Sequence, residues 1–226
     1  MAPAVFVLRP EPGLAKTMER GHALGLAMQA MPLSSAQPLP WRVPQGDFDG
    51  ILLGSANALR HAGEQARGLI HLPVYAVGEA TATDARAHGF TVAQTGEGGL
   101  QALLDSLGSE RALSLLRLAG AEHLPLQPPP GVRFATAETY RIMHRQLTGA
   151  EAELLAQGGV VLLHSGASAR HFRAECERAG INRARLSLAA LAPRIAASVS
   201  DGWKSVQIAA QPRDEALLFL AADMCH

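Results

Sequence analysis

The chain writes one strand–turn–helix plan twice. "ILLGSANALRHAG" at 51–63 parallels "VLLHSGASARHFR" at 161–173, and each reads as an apolar strand, a Ser, small residues and a helix. "YAVGEATATDARAHGFTV" at 75–92 parallels "LAALAPRIAASVSDGWKSV" at 188–206. Ser55 aligns with Ser165, Ala82 with Ala196, and Gly89-Phe90 with Gly202-Trp203, so the copies stay nearly in step, at offsets of 110, 114 and 113 residues. Such a repeat argues for two related units rather than one large one.

Within each copy, short apolar runs alternate with helical stretches. The runs are Val5–Leu8, Ile51–Leu53, Val74–Val77, Leu113–Leu118, Val160–Leu163, Leu186–Leu191 and Val206–Ala209. Strands that are apolar throughout suit parallel sheets covered on both faces. The helices carry boundary signals. Thr81 with Asp84 three residues on reads as a capping box, and Gly89 as the residue just past a C-terminus. A helix over 168–180 places Phe172, Cys176 and Ala179 on one stripe, with Arg170, Arg173, Glu177 and Arg178 turned away.

The ends of the copies differ. Copy one continues through a helix at 101–107 into the strand "LSLLRLAG" at 113–120, whereas copy two stops after "EALLFLAA". The N-terminal "VFVLRPEP" offers the missing strand, with Arg9 answering Arg117. The expected fold is therefore α/β: two similar three-layer domains with parallel sheets, a two-stranded connector and a cleft between them. Residues 1–35 plus 143–226 form one discontinuous domain. Residues 41–133 form an inserted sister, and 36–40 and 134–142 are the connectors. The Pro-rich crossing at 32–41 and the alternating "RFATAETYRIMHR" at 133–145 would run antiparallel, the latter as an exposed extended strand.

In such sheets ligands bind beyond the carboxyl ends of the strands, where free N–H groups and helix dipoles attract anions. The candidate turns are Gly54-Ser55-Ala56-Asn57, Gly78-Glu79-Ala80-Thr81, Ser165-Gly166-Ala167-Ser168 and Ala192-Pro193-Arg194-Ile195. All are rich in small residues, which lets a bulky ligand approach the backbone. Neither a dinucleotide fingerprint nor a P-loop accompanies Gly78. Ser165 lacks a nucleophile elbow. His164 and His171 lack zinc-ligand spacing and read as surface or capping residues, so no metal is expected. Arg9 and Arg117 could instead be structural, neutralising strand-end carbonyls. A formal net charge of zero speaks against a nucleic-acid partner. Two distant cysteines suit a reducing compartment. No secretory signal and no apolar run of membrane-spanning length is visible, so a cytoplasmic protein is expected.

Several residues together resemble the uroporphyrinogen-III synthase family, over nearly the whole chain. They are Arg9-Pro10 after the first strand, "GSANA" at 54–58, and "VYAVGEATA" at 74–82 followed by Gly89-Phe90. Tyr140 on the connector, "SGASA" at 165–169 and "LAPRIAASVSDGWKSVQIAAQP" at 191–212 complete the set. The resemblance implies two α/β domains and an enzyme without metal or organic cofactor. Its substrate would be the linear tetrapyrrole hydroxymethylbilane, fringed with acetates and propionates. The last pyrrole ring is inverted, the macrocycle closed and water lost, by way of an azafulvene cation and a spiro intermediate. The resemblance assigns Tyr140 as the acid near the leaving hydroxyl. Substrate carboxylates would be held by Arg9, Ser55, Ala56, Asn57, Gly78, Glu79, Ala80, Thr81, Arg117, Gly120, Ser165, Gly166, Ala167, Pro193, Arg194 and Ile195. A monomer in transient contact with the preceding pathway enzyme is implied. Two places depart from the family pattern. Gly54 stands where many members have Thr, and Ala192-Pro193-Arg194-Ile195 replaces a glycine-and-threonine turn, so any hydroxyl role there is absent or moved. The residues by themselves also fit a hinge protein that binds a small anion without chemistry.

Overall fold

A computed structural model of the chain describes residues 3–108 and 112–225. In chain order the elements are β1 (Ala4–Val7), α1 (Gly13–Ala23), β2 (Ala27–Ala30), β3 (Ser34–Pro38), β4 (Gly50–Leu53), α2 (Asn57–Arg60), β5 (Val74–Val77), α3 (Glu79–Ala87), β6 (Val92–Gly96) and α4 (Leu100–Ser106). They continue with β7 (Leu113–Gly120), β8 (Val132–His144), α5 (Gly149–Ala156), β9 (Gly159–Leu163), α6 (Gly166–Arg178), β10 (Leu186–Ala190), α7 (Pro193–Ala196), β11 (Ser205–Ile208) and α8 (Asp214–Met224). The chain divides into two compact units, 1–35 with 143–226, and 36–142.

The first unit is built on a sheet of order β11-β10-β9-β1-β2. Its pairings are parallel, and β1 lies between β9 and β2. One face buries Phe6, Leu163, Phe172, Cys176 and Leu188, largely under α6, and the other buries Val5, Val7, Leu14, Leu217 and Leu218 under α1 and α8. Phe6 and Phe172 are fully excluded from solvent, each worth about 1.5–3 kcal/mol of burial. Gly159 opens β9 at φ 145°, and a Cβ there would lie 2.5 Å from the Ala4 carbonyl oxygen, so only glycine lets β1 approach.

The second unit holds a sheet of order β3-β8-β7-β4-β5-β6. Ile51, Leu53, Val74 and Leu116 pack beneath α2, α3 and a 3₁₀ segment at Gly63–Leu69. Leu52, Tyr75, Leu113 and Leu115 pack beneath α4. Residues 134–142, read from the sequence as connector, lie within β8. That strand pairs in parallel with β7 from Val132 to Tyr140 and is only partly exposed. Val132 and Phe134 pack into the core under α4, and Ala137 and Tyr140 into the opposite core, so both faces of the strand are partly covered. The Leu39 N–H donates to the Thr139 carbonyl and the Arg145 N–H to the Leu33 carbonyl, so the two crossings run antiparallel.

Three readings from the sequence change. Helix α3 starts at Glu79 with Gly78 as its N-cap residue, so Thr81 is a buried residue of the first turn and not a cap. The left-handed φ of 75° at Gly78 turns the chain into the helix without a side-chain cap. Helix α6 begins at Gly166, two residues before the expected start, because Ser165 accepts the Ser168 N–H as its cap. The Arg9–Arg117 correspondence also fails. Val7 pairs with Leu162 of β9, and Arg117 with Leu52 of β4. With the two serine turns superposed, Arg117 corresponds to Val7, and Arg9 to Ala119. A two-residue slip keeps every side chain on its face, so alternation alone could not detect it.

Candidate functional site

Each sheet reverses its winding once. In the second unit, β4 leads through α2 toward β5, while β7 leads to β8 on the other side. The crossovers lie over opposite faces, which opens a crevice at the carboxyl ends of β4 and β7. Ser55, Gly120 and Tyr140 meet there. Gly120 pairs with Tyr140 in the ladder, and the Tyr140 ring lies on it. A Cβ on Gly120 would stand 2.8 Å from the Tyr140 Cζ. The outer edge of the ring meets His61, with centroids 5.9 Å apart and tilted by 30°. Burial, with Arg60 adding to it, pushes the His61 imidazole below its ordinary value. Thr139 fixes the segment by donating to the Ala58 carbonyl at 2.8 Å, and it is fully buried. Among the described residues, the Tyr140 hydroxyl has no hydrogen-bond partner.

The turn after β4 is tight. The Asn57 N–H donates to Ser55 Oγ at 3.3 Å, which commits one of the small-residue donors internally. The Asn57 side chain accepts from Arg60, and Arg60 grips Asp84 of α3. At α3, Glu79 and Ala80 carry first-turn N–H groups with no intrahelical partner, and both are exposed. The Glu79 carboxylate pairs with Arg86 at 2.6 Å. Arg117 is 4% exposed and lies inward from the edge, donating to the Leu124 carbonyl at 2.9 Å. It ties the 121–131 loop to the sheet, and burial pushes its pKa down from the usual arginine value.

In the first unit the winding reverses between β1 and β9. Gly166 and Ala167 supply free first-turn N–H groups at α6. Ser198 Oγ approaches Gly166, leaving a Cβ there only 2.8 Å of room. The turn at 192–195 offers less. Pro193 has no N–H, Ile195 is buried in the core with its N–H on the Ala192 carbonyl, and Arg194 alone is exposed with a free first-turn amide. Arg9 and His164 stand beyond the ends of β1 and β9. His164, expected on the surface, has a side chain only 8% exposed, and its Nε2 lies 2.9 Å from Asp214 Oδ1. His61 and Asp214 carried no signal in the sequence, because their partners come from distant segments. Among the described residues no three His, Cys, Asp or Glu side chains form a metal-binding group. Among the described residues no helix is long and apolar enough to cross a membrane.

The profile of the family described as uroporphyrinogen-III synthase HemD matches residues 20–218. No curated protein sequence matches the chain. Among solved structures, uroporphyrinogen-III synthetase from Helicobacter pylori is 19% identical, with 99% of this chain and all of that one covered and a TM-score of 0.69. A mutant uroporphyrinogen III synthase from Thermus thermophilus is 16% identical, with 99% and 98% covered and a TM-score of 0.57. At these identities the likeness is one of fold.

Proposed function

This chain belongs to the uroporphyrinogen-III synthase family, a family of cyclising lyases in tetrapyrrole synthesis, and on that premise we propose that its own reaction is the dehydrating closure of hydroxymethylbilane to uroporphyrinogen III. The observation that carries the assignment of roles is Tyr140. Its ring is seated on Gly120 at the carboxyl-end crevice of β4 and β7, with an uncommitted hydroxyl. A phenol so placed can donate a proton to the departing hydroxyl of the substrate, generating the azafulvene cation. That hydroxyl leaves as the one water lost. The substituted carbon of the last ring then attacks, and the spiro intermediate rearranges by breaking one carbon–carbon bond and forming another before a proton is released to solvent.

Most of the remaining work is positioning. An unguided chain closes without inversion, so the reacting ends must be held in the inverted arrangement. The first-turn amides of Glu79, Ala80, Gly166, Ala167 and Arg194, the hydroxyl of Ser55 and the guanidinium of Arg9 are the carboxylate holders in this reading. Arg117 and Ile195 are buried and support the frame instead.

Incubating purified protein with hydroxymethylbilane and resolving the product isomers tests the proposal. Type III product without added cofactor is expected, and an isomer ratio equal to that of the spontaneous reaction would overturn it. Tyr140→Phe should slow turnover by at least about tenfold if the phenol is the acid. Unchanged turnover would reduce Tyr140 to packing.

A further inference from the structure

The carboxyl ends of β1 and β9 carry a charged cluster of which the reading above uses only the Arg9 guanidinium. At its centre is Asp214, the first residue of α8. Thr17 Oγ1 lies 3.0 Å from both of its carboxylate oxygens. Arg9 Nη1 donates to Oδ1 at 3.2 Å, His164 Nε2 lies 2.9 Å from the same oxygen, and Arg20 Nη1 stands 3.6 Å from Oδ2. Facing a carboxylate, His164 Nε2 must carry the proton. Thr17 is fully buried, and the Asp214 side chain is 14% exposed. Burial by itself would raise the Asp214 carboxyl, but His164, Thr17 and Arg9 hold it below the usual carboxylate range. Burial is also the main influence on His164 and pushes the imidazole toward its neutral form. Arg9 adds to that push, while Asp214 opposes it.

Two guanidiniums therefore share one carboxylate, and a positive charge is left over. Glu11, two residues after Arg9, accepts the Ala15 N–H, and among the described residues no acid other than Asp214 pairs with either arginine. The arginines are also the accessible members of the cluster, their side chains 31% and 54% exposed. The Arg9 guanidinium lies flat on Gly13, where a Cβ would come within 2.4 Å of Cζ, Nε and Nη2. Among the described residues, its Nε and Nη2 donate to nothing. The location is the crevice where the winding of this sheet reverses, since β1 leads through α1 toward β2 and β9 leads through α6 toward β10. The spare donors of both arginines therefore face solvent at that edge, where an anion can reach them.

We propose that Arg9 and Arg20, held in place by Asp214, form an anion subsite of the first unit that takes one carboxylate side chain of the tetrapyrrole. Thr17 and His164 are positioning residues that fix Asp214. This inference rests on the functional reading above, because the polycarboxylate identity of the ligand comes from it. The carboxylate it takes makes and breaks no bond in the reaction, so the subsite contributes equally to ground-state and transition-state binding. Its loss raises KM and leaves kcat in place.

The test uses the full chain with two readouts: kinetics with hydroxymethylbilane, and fluorescence titration with uroporphyrin III, a stable octacarboxylate. Arg20→Gln, a change at a half-exposed position, should raise KM and weaken porphyrin binding by about tenfold, in line with one lost charge-assisted hydrogen bond, with kcat kept. It should also flatten the dependence of KM on salt, while Arg20→Lys recovers part of the loss. Asp214→Asn separates two roles. If the carboxylate positions the arginines, KM rises; if it only competes with the ligand, removing its charge lowers KM and overturns the positioning claim. Unchanged KM and porphyrin affinity in Arg20→Gln would overturn the subsite. A wild type that makes no type III isomer yet binds porphyrin through Arg20 would overturn the functional reading and leave the subsite standing.

Discussion

Gly120→Ala is the perturbation that probes the Tyr140 geometry most directly. The added methyl would sit 2.8 Å from Cζ and 3.1 Å from both Cε atoms of the ring. Carbon atoms rest at about 3.5–4.0 Å, so the ring must move by roughly 1 Å or the strands must part. The inner side of the ring packs against the apolar core and its neighbour His61 limits sideways escape, so displacement of the phenol end is the cheapest response. Overpacking of this kind costs about 1–3 kcal/mol, and each kcal/mol lowers Tm by some 2–4 °C in a chain of this size. The effect on catalysis is larger, because a donor misplaced by about 1 Å loses on the order of a hundredfold in rate. The assay is turnover of hydroxymethylbilane by the single variants and by Gly120→Ala combined with Tyr140→Phe. Since the glycine acts only through the ring, the methyl should add little once the hydroxyl is gone. Wild-type turnover in Gly120→Ala with an unchanged Tm refutes the placement. A full additional loss in the double variant refutes the claim that Gly120 works through the phenol.

Two further outcomes follow from the titratable groups. The Glu151 carboxyl is held at about 2, chiefly by its hydrogen bonds from Arg145, against a raising effect of burial and with help from the Thr148 cap. Its folded value lies below its unfolded one, so its stabilisation is present above the unfolded carboxylate value and fades as pH falls through about 2. Glu151→Gln should therefore cost about 1 kcal/mol near neutrality, the group being partly solvated, and the gap from wild type in urea unfolding should close under strong acid. Cys176 is fully buried and burial pushes its thiol up to about 12, whereas Cys225 is half-buried. A thiol reagent at about pH 8 should label Cys225 in the folded protein and reach Cys176 only after unfolding, and rapid native labelling of both would contradict the packing under α6.

The central strands were legible because parallel strands buried on both faces must be apolar throughout, as β4, β5, β9 and β10 are. The strands that escaped notice, β2 and β6, lie at sheet edges, where one side meets water and the apolar signal vanishes. The glycine at 78 marked its turn correctly, while the Thr81 capping pattern misled. A left-handed residue can start a helix without a side-chain cap, and a threonine in the first turn can serve as core.

The sequence by itself determined the alternation of strand and helix, the duplication, and which loops are short and small enough for a ligand to approach. Those properties are written in neighbouring residues. Tertiary structure alone decided that Asp214 stands under Arg9, 205 residues away, and that His61 borders Tyr140. It also decided that Arg117 lies two residues deeper than Arg9 and is closed off from solvent. Pairing across such separations is set by how sheets register and helices pack, and a strand pattern with a period of two looks the same after a slip of two.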